Sequence, residues 1–502
     1  MSLGTMPGGS SHDNRANFPQ EDVQEEGARW IYEIANVFSF LGTTYIDSGW
    51  AATRANNPGL IKIDPSPSCS MTTALAGIID KDQLKKVFKL LPVPVLYTLA
   101  ANSTDPDELV MLAQHCCRME FSGDDQPTGL QYLESNGDIR ADIDDFELFE
   151  TIANNAYLPD QYKEVMVLRP GVQGGSEIVG DQQQGNSHIF EYLRRNSYIP
   201  WGHYAANMAQ DAIRYHTTDL TLTDFQGLRH LYYQRMVVAL ADRFGIPLDV
   251  TRRSLTEQEL EQLRIEVLAA VDKSGLHPAT LWGWNYGYDF SGSGYRLHAS
   301  HQMIHQQFAM VPDDVELLDG GRMASYSCGD QVAEVVEQYR RENSSDFFSD
   351  YIHCIYSNKR SDGEGEKSLI VYADDNVMLF VPKAQVSQWE LQLMVTGDLQ
   401  GQPVGNVLEA DAEVRASIDR GILMAQHIFA GLGAKMVTSI EYSKRLGIQN
   451  GQRLLYAFLP KLPWSMGAFS EAQQRYICGH FPEDFAVACR DQMIENRKRK
   501  SE

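Results

Sequence analysis

The sequence predicts an α+β protein in which a short antiparallel hairpin lies among amphipathic helices. Two apolar, β-prone runs, 368–372 and 377–381, flank the polar segment 373–376. This arrangement is typical of a strand, a tight turn and a second strand. Apolar residues at helical spacing predict helices over about 228–244, 257–271 and 422–432. With 43% apolar residues, the chain can build a sizeable core around these elements.

The predicted hairpin carries two adjacent carboxylates at its tip, Asp374 and Asp375, followed by Asn376. Adjacent like charges repel each other, so folding alone gives little reason to place them side by side. A divalent cation gives a good reason, because Mg²⁺ in proteins is usually held by one or two carboxylates together with substrate phosphates. A plain polar turn is the alternative, since Asp and Asn are common turn residues. The tip therefore predicts either a metal site or a turn.

A second acidic pair, Asp219 and Asp224, lies upstream of the hairpin. The Thr/Leu-rich segment 216–222 resembles a strand that leads into the predicted helix over 228–244. Asp219 then stands at the end of the strand and Asp224 at the turn that follows. A helix N-cap is the alternative role for Asp224.

A glycine-rich loop with Ser293 and Gly294 lies between the two acidic sites and opens a polar helix that contains Gln302. Backbone amides in such a loop can approach a phosphate or a sugar closely. Most glycine-rich loops are ordinary turns, so this segment indicates a binding loop only because it lies between the two acidic pairs.

The order of these three segments resembles palm motifs A, B and C of viral RNA-dependent RNA polymerases, over about 219–446. The Ser293-Gly294 start is most similar to motif B of double-stranded RNA virus polymerases. The resemblance implies a right-hand polymerase with fingers, a palm of antiparallel sheet and helices, and a thumb. The implied division is a disordered N-terminus over 1–20, an N-terminal extension and fingers over 21–210, a palm over 211–450 with a fingers insertion at about 245–285, and a thumb with a basic tail over 451–502.

The resemblance also implies an activity: template-directed RNA synthesis from ribonucleoside triphosphates, in replication or transcription of a viral RNA genome. Two metal ions, Mg²⁺ or Mn²⁺, would clamp the attacking and leaving oxygens of the nucleotidyl transfer. Asp219 and Asp374 would hold the metals, with Asp375 as an outer ligand. Asp224, with help from Ser293 and Gln302, would recognise the ribose 2′-hydroxyl; the remaining implied substrate contacts are Gly294 and Asn376.

Basic residues are expected to cover the triphosphate and to protonate the leaving group. Lys163 and Arg169 are the first candidates for the triphosphate, on a segment that resembles a strand, and Arg194 and Arg195 are the alternative. Lys435 is the expected proton donor, with Lys444 as its rival. Each of these residues is equally well explained as an ordinary solvated surface charge.

The implied partners are an RNA template, the nascent RNA, ribonucleoside triphosphates, and capsid or other viral proteins. The implied location is the host cytoplasm or the interior of the viral particle. The formal net charge of −24 argues against a nucleic-acid enzyme, because phosphate neutralisation supplies much of the affinity for nucleic acid. An acidic exterior can nevertheless enclose a locally positive channel.

Composition excludes several other classes. No apolar run approaches the ~18 residues needed to span a membrane. The seven cysteines include no Cys-x-x-Cys or Cys/His spacing, which argues for reduced thiols and against a zinc site. The segment 1–17 is rich in Gly and Ser and predicts disorder.

Two further functions remain open from the sequence. A reverse transcriptase fits the run Tyr372-Ala373-Asp374-Asp375, but Asp224 stands where that family would place a bulky residue that rejects ribose. A non-catalytic acidic capsid or scaffold protein, in which the acidic pairs are only turns, is compatible with the low isoelectric point. It does not explain the order of the three segments.

Overall fold

The structure is a computed structural model of the 502-residue chain. It describes residues 2–5, 11–13, 30–35, 43–63, 68–78, 81–135, 138–153, 155, 157–166, 217–248, 255–287, 305–360, 362–385, 389–462 and 468–499. The helices are α1 (Ser48–Asn56), α2 (Met71–Leu75), α3 (Lys81–Leu90), α4 (Val93–Asn102), α5 (Pro106–Cys116), α6 (Phe146–Ala153), α7 (Asp160–Met166), α8 (Leu222–Arg243), α9 (Glu257–Ser274), α10 (Cys328–Asn343), α11 (Phe347–Tyr356), α12 (Ala412–Gly431), α13 (Ala468–Gln473) and α14 (Pro482–Arg499).

The strands are β1 (Ser2–Thr5), β2 (Ser11–Asp13), β3 (Trp30–Ala35), β4 (Thr43–Asp47), β5 (Met119–Phe121), β6 (Pro127–Leu130), β7 (Tyr132–Ser135), β8 (Asp138–Ala141), β9 (Ala279–Gly287), β10 (His305–Val311), β11 (Asp314–Glu316), β12 (Arg322–Ala324), β13 (Ile370–Ala373), β14 (Val377–Phe380), β15 (Leu391–Val395), β16 (Asp398–Leu399), β17 (Gln402–Pro403), β18 (Met436–Tyr442), β19 (Leu455–Pro460) and β20 (Arg475–Cys478).

A seven-stranded antiparallel sheet organises the central part of the fold, in the order β10-β9-β18-β19-β15-β14-β13. All four residues of β14 are buried, so the sheet is covered on both faces. Val377 and Leu379 belong to one hydrophobic core, whereas Met378 and Phe380 belong to another. This alternation is the period of two that a pleated strand imposes on its side chains.

Helices cover the two faces of the central sheet. Residues of α8, α9, α12 and α14 form a core with Val377 and Leu379. Residues of α10 and α11 form the opposite core with Met378 and Phe380. A separate core, made by α3–α7 with the β5/β6 and β7/β8 hairpins, lies within residues 84–166. No helix among the described residues is both long enough and apolar enough to cross a membrane.

Several local predictions are confirmed. The hairpin forms where the sequence predicts it, as β13 and β14. The helix predicted over 257–271 is α9, and that over 422–432 is the C-terminal half of α12. Differences occur elsewhere: β1 pairs with β2 in the segment predicted to be disordered. Within the predicted thumb, β20 pairs in parallel with β4 in a three-stranded sheet.

The predicted right-hand polymerase with fingers, palm and thumb is wrong. The predicted palm requires a strand before Asp219 in the same sheet as the hairpin. Instead, Thr217–Asp219 is a 3₁₀ turn, and β13 is an edge strand of the sheet. The physical reason lies in Thr221, whose side chain and backbone form a capping box with Asp224 and begin α8 at Leu222. The Thr-rich segment is therefore the start of a helix.

Candidate binding site at the hairpin tip

The turn between β13 and β14 is closed by Asp374. Its backbone N–H donates to the carbonyl of Val377 at 3.0 Å. Its Oδ1 atom accepts hydrogen bonds from the backbone N–H groups of Asn376 and Val377, both at 2.9 Å. An Asp side chain that bonds its own backbone in this way stabilises a tight turn, which explains why the chain reverses here.

The second carboxylate oxygen of Asp374 is also occupied. Oδ2 accepts from the hydroxyl of Tyr372 at 2.9 Å and from Nη2 of Arg420 at 3.3 Å. Partial burial acts to raise the pKa of Asp374, but the hydrogen bonds from Asn376, Tyr372 and Val377 outweigh it and lower the pKa below its usual value. The side chain is therefore a carboxylate at neutral pH.

Helix α12 contacts the hairpin tip and carries Arg420, the cation that pairs with Asp374. Nη2 of Arg420 donates to Oγ of Ser417 at 2.8 Å, and Nδ2 of Asn376 donates to the same oxygen at 3.2 Å. The Arg420 side chain remains 45% exposed. Ser417 thus holds the hairpin and the guanidinium together, and leaves much of the guanidinium open to a ligand.

The upstream acidic segment packs against the same helix. The 3₁₀ turn Thr217–Asp219 contacts α12, and the carbonyl of Leu220 lies 3.0 Å from Nε2 of His427. Asp219 is exposed. The structure therefore brings both sequence-predicted acidic segments to one helix.

Asp224 is buried and serves the start of α8. Its Oδ2 accepts from the backbone N–H of Thr221 at 2.8 Å and from the Thr221 hydroxyl at 2.6 Å, and its own N–H lies 3.3 Å from the same hydroxyl oxygen. The N-cap of α8 is Thr221, not Asp224 as the alternative proposed; Asp224 completes the capping box from the third position of the helix, and recognition of a ribose by Asp224 stays a prediction.

A concave, largely apolar groove adjoins Arg420, between α12, the start of α8 and the end of α14. It encloses about 200 Å³. Its lining residues are Leu222, Arg420, Leu423, Met424, His427, Ile428, Met493 and Asn496. The hairpin tip and this groove together form the candidate site, which we call the tip–groove site.

Among the predicted basic residues, the side chains of Lys435 and Lys444 lie in the described part of the chain. Lys435 is exposed, with Nζ 5.4 Å from the ring centroid of Tyr157. Lys444 is buried and its Nζ pairs with Glu409 at 3.0 Å. Lys163 belongs to helix α7, not to a strand as predicted. The roles proposed for Ser293, Gly294, Gln302, Arg169, Arg194 and Arg195 fall outside the described residues.

A metal site at the tip can be tested against the donor atoms present. No group of three or more His, Cys, Asp or Glu residues in the described part of the chain is placed to hold a metal ion. Asp374 already accepts four hydrogen bonds, which is about the capacity of a carboxylate. These residues do not fit a two-metal centre as they stand, and the predicted Mg²⁺ or Mn²⁺ stays a prediction.

The sequence analysis did not predict the polar partners of the hairpin tip, Tyr372, Ser417 and Arg420, or the residues that line the groove. A signal for Arg420 was present, because it stands three and four residues before Leu423 and Met424 and directly precedes the helix predicted over 422–432. Residues at that spacing share a helix face, so a cation there stands on an apolar surface. The pairing with Asp374 was not visible, because 46 residues separate the two in the chain.

Comparisons with known proteins return only remote structural similarity. No protein-family model and no curated protein matches the chain. One solved structure, titled a uridylyltransferase, matches with 12% identity and a TM-score of 0.36, over 56% of this chain and 70% of that one. An ADP-glucose phosphorylase from Arabidopsis thaliana with bound ADP-glucose matches with 12% identity and a TM-score of 0.32, over 47% and 64%. A galt-like protein from Arabidopsis thaliana matches with 11% identity and a TM-score of 0.32, over 46% and 66%.

The predicted identity as a viral RNA-dependent RNA polymerase is wrong, and with it the predicted RNA-directed RNA synthesis and viral replication. The solved structures named above are titled as other proteins, and the hairpin lies at the edge of a seven-stranded sheet. TM-scores this low carry no argument about the activity of this chain.

Proposed function

We propose that the tip–groove site binds a nucleotide, with its phosphate groups on Arg420 and an apolar ring in the groove. The observation that carries this proposal is the position of Arg420, a half-exposed guanidinium held at the mouth of a concave apolar surface. Arginine suits phosphate because its planar fork can donate two parallel hydrogen bonds.

Arg420 has donors to spare for a ligand. Both of its hydrogen bonds, to Asp374 and Ser417, use Nη2. The guanidinium also faces the Tyr372 hydroxyl, and most of its five N–H donors remain for a ligand. The two existing bonds restrict the guanidinium to one orientation, and a donor already held in place loses less conformational entropy when a ligand binds.

The volume of the groove limits the size of the apolar group of the ligand. Usual ligand pockets enclose roughly 300–1,000 Å³, whereas this groove encloses about 200 Å³. It can accept a ring but not a whole nucleotide, so the sugar and phosphates would lie outside, towards Arg420. Leu423, Met424 and Met493 supply the apolar contacts for the ring.

Loss of the guanidinium is expected to weaken nucleotide binding. Hydrogen bonds to charged groups contribute about 1.5–3 kcal/mol, so Arg420→Ala is expected to raise the Kd for a nucleoside triphosphate about ten- to a hundredfold. Isothermal titration calorimetry with ATP and UTP measures this change. A free nucleoside is expected to bind both proteins equally, because it has no phosphate.

The matched control is Arg341→Ala. Arg341 is exposed on α10, which covers the other face of the sheet. Its removal changes the net charge by the same amount but leaves the tip–groove site intact. Equal weakening by the two substitutions would mean that only overall charge matters and would contradict the proposal.

Nucleotide binding is expected to persist when divalent metal is removed. Arg420 supplies the charge directly, and the nearby carboxylates form no metal-binding cluster among the described residues. With EDTA the Kd should change less than about threefold, and Asp375→Asn should leave it unchanged or lower it by removing repulsion of the phosphates. A requirement for Mg²⁺, together with weaker binding by the Asp375 variant, would favour metal-bridged binding instead.

A further inference from the structure

A second cleft lies on the separate core formed by α3–α7. It is one of the larger concavities in the described part of the chain and encloses about 620 Å³, well within the usual range for a ligand pocket. Its lining residues are Phe88, Lys89, Met111, Gln114, His115, Arg118 and Asp144. A neighbouring hollow of about 440 Å³ shares Gln114 and Arg118 with it.

The charge of this cleft is opposite to that of the protein. The chain carries a formal net charge of −24, yet the lining of this cleft contains Lys89, His115 and Arg118 with one carboxylate, Asp144. The sum is +1 with His115 neutral and +2 with His115 charged. A local positive field in an acidic protein favours an anion at this place.

The backbone holds Arg118 and Asp144 in position. The N–H of Arg118 donates to the carbonyl of Asp142 at 2.9 Å, and the N–H of Asp144 donates to the carbonyl of Cys116 at 2.8 Å. Their side chains form an ion pair of 3.0 Å, in which each side chain is about half exposed. Exposed pairs of this kind contribute little to stability, so an anionic ligand can replace the carboxylate at small cost.

The preference of cations for the C-terminal ends of helices explains part of the positive charge in this cleft. Lys89 and His115 each lie in the last turn of a helix, α3 and α5, where a cation offsets the negative end of the helix dipole. That effect accounts for each residue separately. It does not account for their convergence with Arg118, which follows α5, on one cleft bordered by Phe88 and Met111.

We propose that this cleft binds a small molecule in which an anionic phosphate or carboxylate group is joined to an apolar ring or chain. The anionic oxygens lie among Lys89, His115 and Arg118, and the apolar part lies against Phe88 and Met111. This site is independent of the tip–groove site, because the two are built on different hydrophobic cores.

The probe that tests the proposal is phenyl phosphate, titrated against the full-length chain by calorimetry. Benzoate and inorganic phosphate are run in parallel to distinguish a carboxylate from a phosphate ligand and to measure the role of the ring. We expect saturable binding, a Kd at least about tenfold higher for the double variant Lys89→Gln/Arg118→Gln, and a lower Kd for Asp144→Asn, which releases Arg118. Unchanged binding by the double variant, or weaker binding by Asp144→Asn, would overturn the proposal.

Two control variants test whether phenyl phosphate binds in this cleft. Lys86→Gln lies on the same helix and is exposed, but it is not part of the lining, so it should leave the Kd unchanged. Arg341→Ala, which removes an exposed cation on α10 away from both sites, should also leave phenyl phosphate binding unchanged. A loss of phenyl phosphate binding in either control variant would place the probe elsewhere and contradict the inference.

Discussion

Asp419→Ala is expected to lower the free energy of unfolding of the central core by about 3–5 kcal/mol, because it leaves a buried arginine without its partner. Asp419 and Arg229 are 1% and 7% exposed. Nε of Arg229 lies 3.0 Å from both carboxylate oxygens. The pair joins α8 to α12 in the core beneath the sheet.

Burial and pairing act in opposite directions on these two groups. Burial acts to raise the pKa of Asp419 and to lower that of Arg229, since it disfavours either charge alone. The Asp419 carboxylate nevertheless holds the pKa of Arg229 above its ordinary value. Because both groups are buried and lie 3.0 Å apart, each member depends on the other.

Further arginines surround the Arg229–Asp419 pair, and they increase the expected loss of stability in Asp419→Ala. The guanidinium groups of Arg229 and Arg415 lie 5.6 and 5.5 Å from the ring centroid of Tyr233. Arg415 and Arg264 both bond Glu261 on α9, at 3.0 and 2.7 Å. Without Asp419, one carboxylate instead of two, that of Glu261, would pair with these three guanidinium groups.

Denaturant unfolding followed by tryptophan fluorescence measures the effect, because Trp282 and Trp284 belong to this core. Asp398→Ala is the control: it breaks the ion pair with Arg453, in which Asp398 is 47% exposed, and should cost at most about 1 kcal/mol. The apolar double variant Arg229→Met/Asp419→Leu should recover most of the loss. A single variant as stable as the wild type would show that the pair is not buried as described.

Glu441→Gln is expected to remove a pH-dependent component of stability of about 3 kcal/mol. Glu441 is fully buried on β18, and its two carboxylate oxygens bond the hydroxyls of Tyr232 at 2.9 Å and Tyr456 at 2.8 Å. Burial raises its pKa from 4.5 to about 7, although hydrogen bonds from Tyr456, Tyr232 and Ser443 act to lower it.

The direction of the effect follows from proton linkage. Between pH 4.5 and about 7 the folded state binds the Glu441 proton, whereas the unfolded chain has already released it. This group therefore stabilises the fold below about pH 4.5, and its contribution is lost as the pH rises towards 7. The interval between the two pKa values corresponds to about 3 kcal/mol. Glutamine is neutral at every pH, so the stability of the Glu441→Gln variant relative to the wild type should increase as the pH rises.

Unfolding midpoints of both proteins from pH 5 to pH 8 measure this difference. The two should be similar in stability at pH 5, and the glutamine variant should be the more stable at pH 8. Glu342→Gln, at an exposed site on α10, is the control. Its unfolding midpoint should change with pH in the same way as that of the wild type. A constant difference between Glu441→Gln and the wild type across this range would refute the linkage.

Where the sequence predictions succeeded, local chemistry was enough. The β13–β14 hairpin follows from two apolar runs and an Asp-Asp-Asn turn, in which Asp374 bonds the backbone of its own loop. Helix α9 follows from its apolar spacing and from Thr256, which forms a capping box with Glu259. Both signals depend on residues that are close in sequence, so they do not depend on how the rest of the chain packs.

Where the predictions failed, local signals were ambiguous. The segment around Thr221 has strand-like composition, but its capping hydrogen bonds with Asp224 begin a helix. The motif order that suggested a polymerase consists of short polar runs, each of which is also an ordinary turn or cap. The alternative noted for the hairpin tip, a turn, is the arrangement that the structure contains. Asp224 takes part in the start of α8, but as the third residue of a capping box whose N-cap is Thr221.

By itself, the sequence determined the acidic hairpin, the helices with strong apolar spacing and an apolar content sufficient for a core. Only the tertiary structure decided that β13 is an edge strand, that Arg420 pairs with Asp374, and that Glu441 lies between two tyrosines. The physical reason is distance along the chain. Turns and helix starts depend on hydrogen bonds between near neighbours, whereas strand order and buried polar contacts depend on which distant segments pack together.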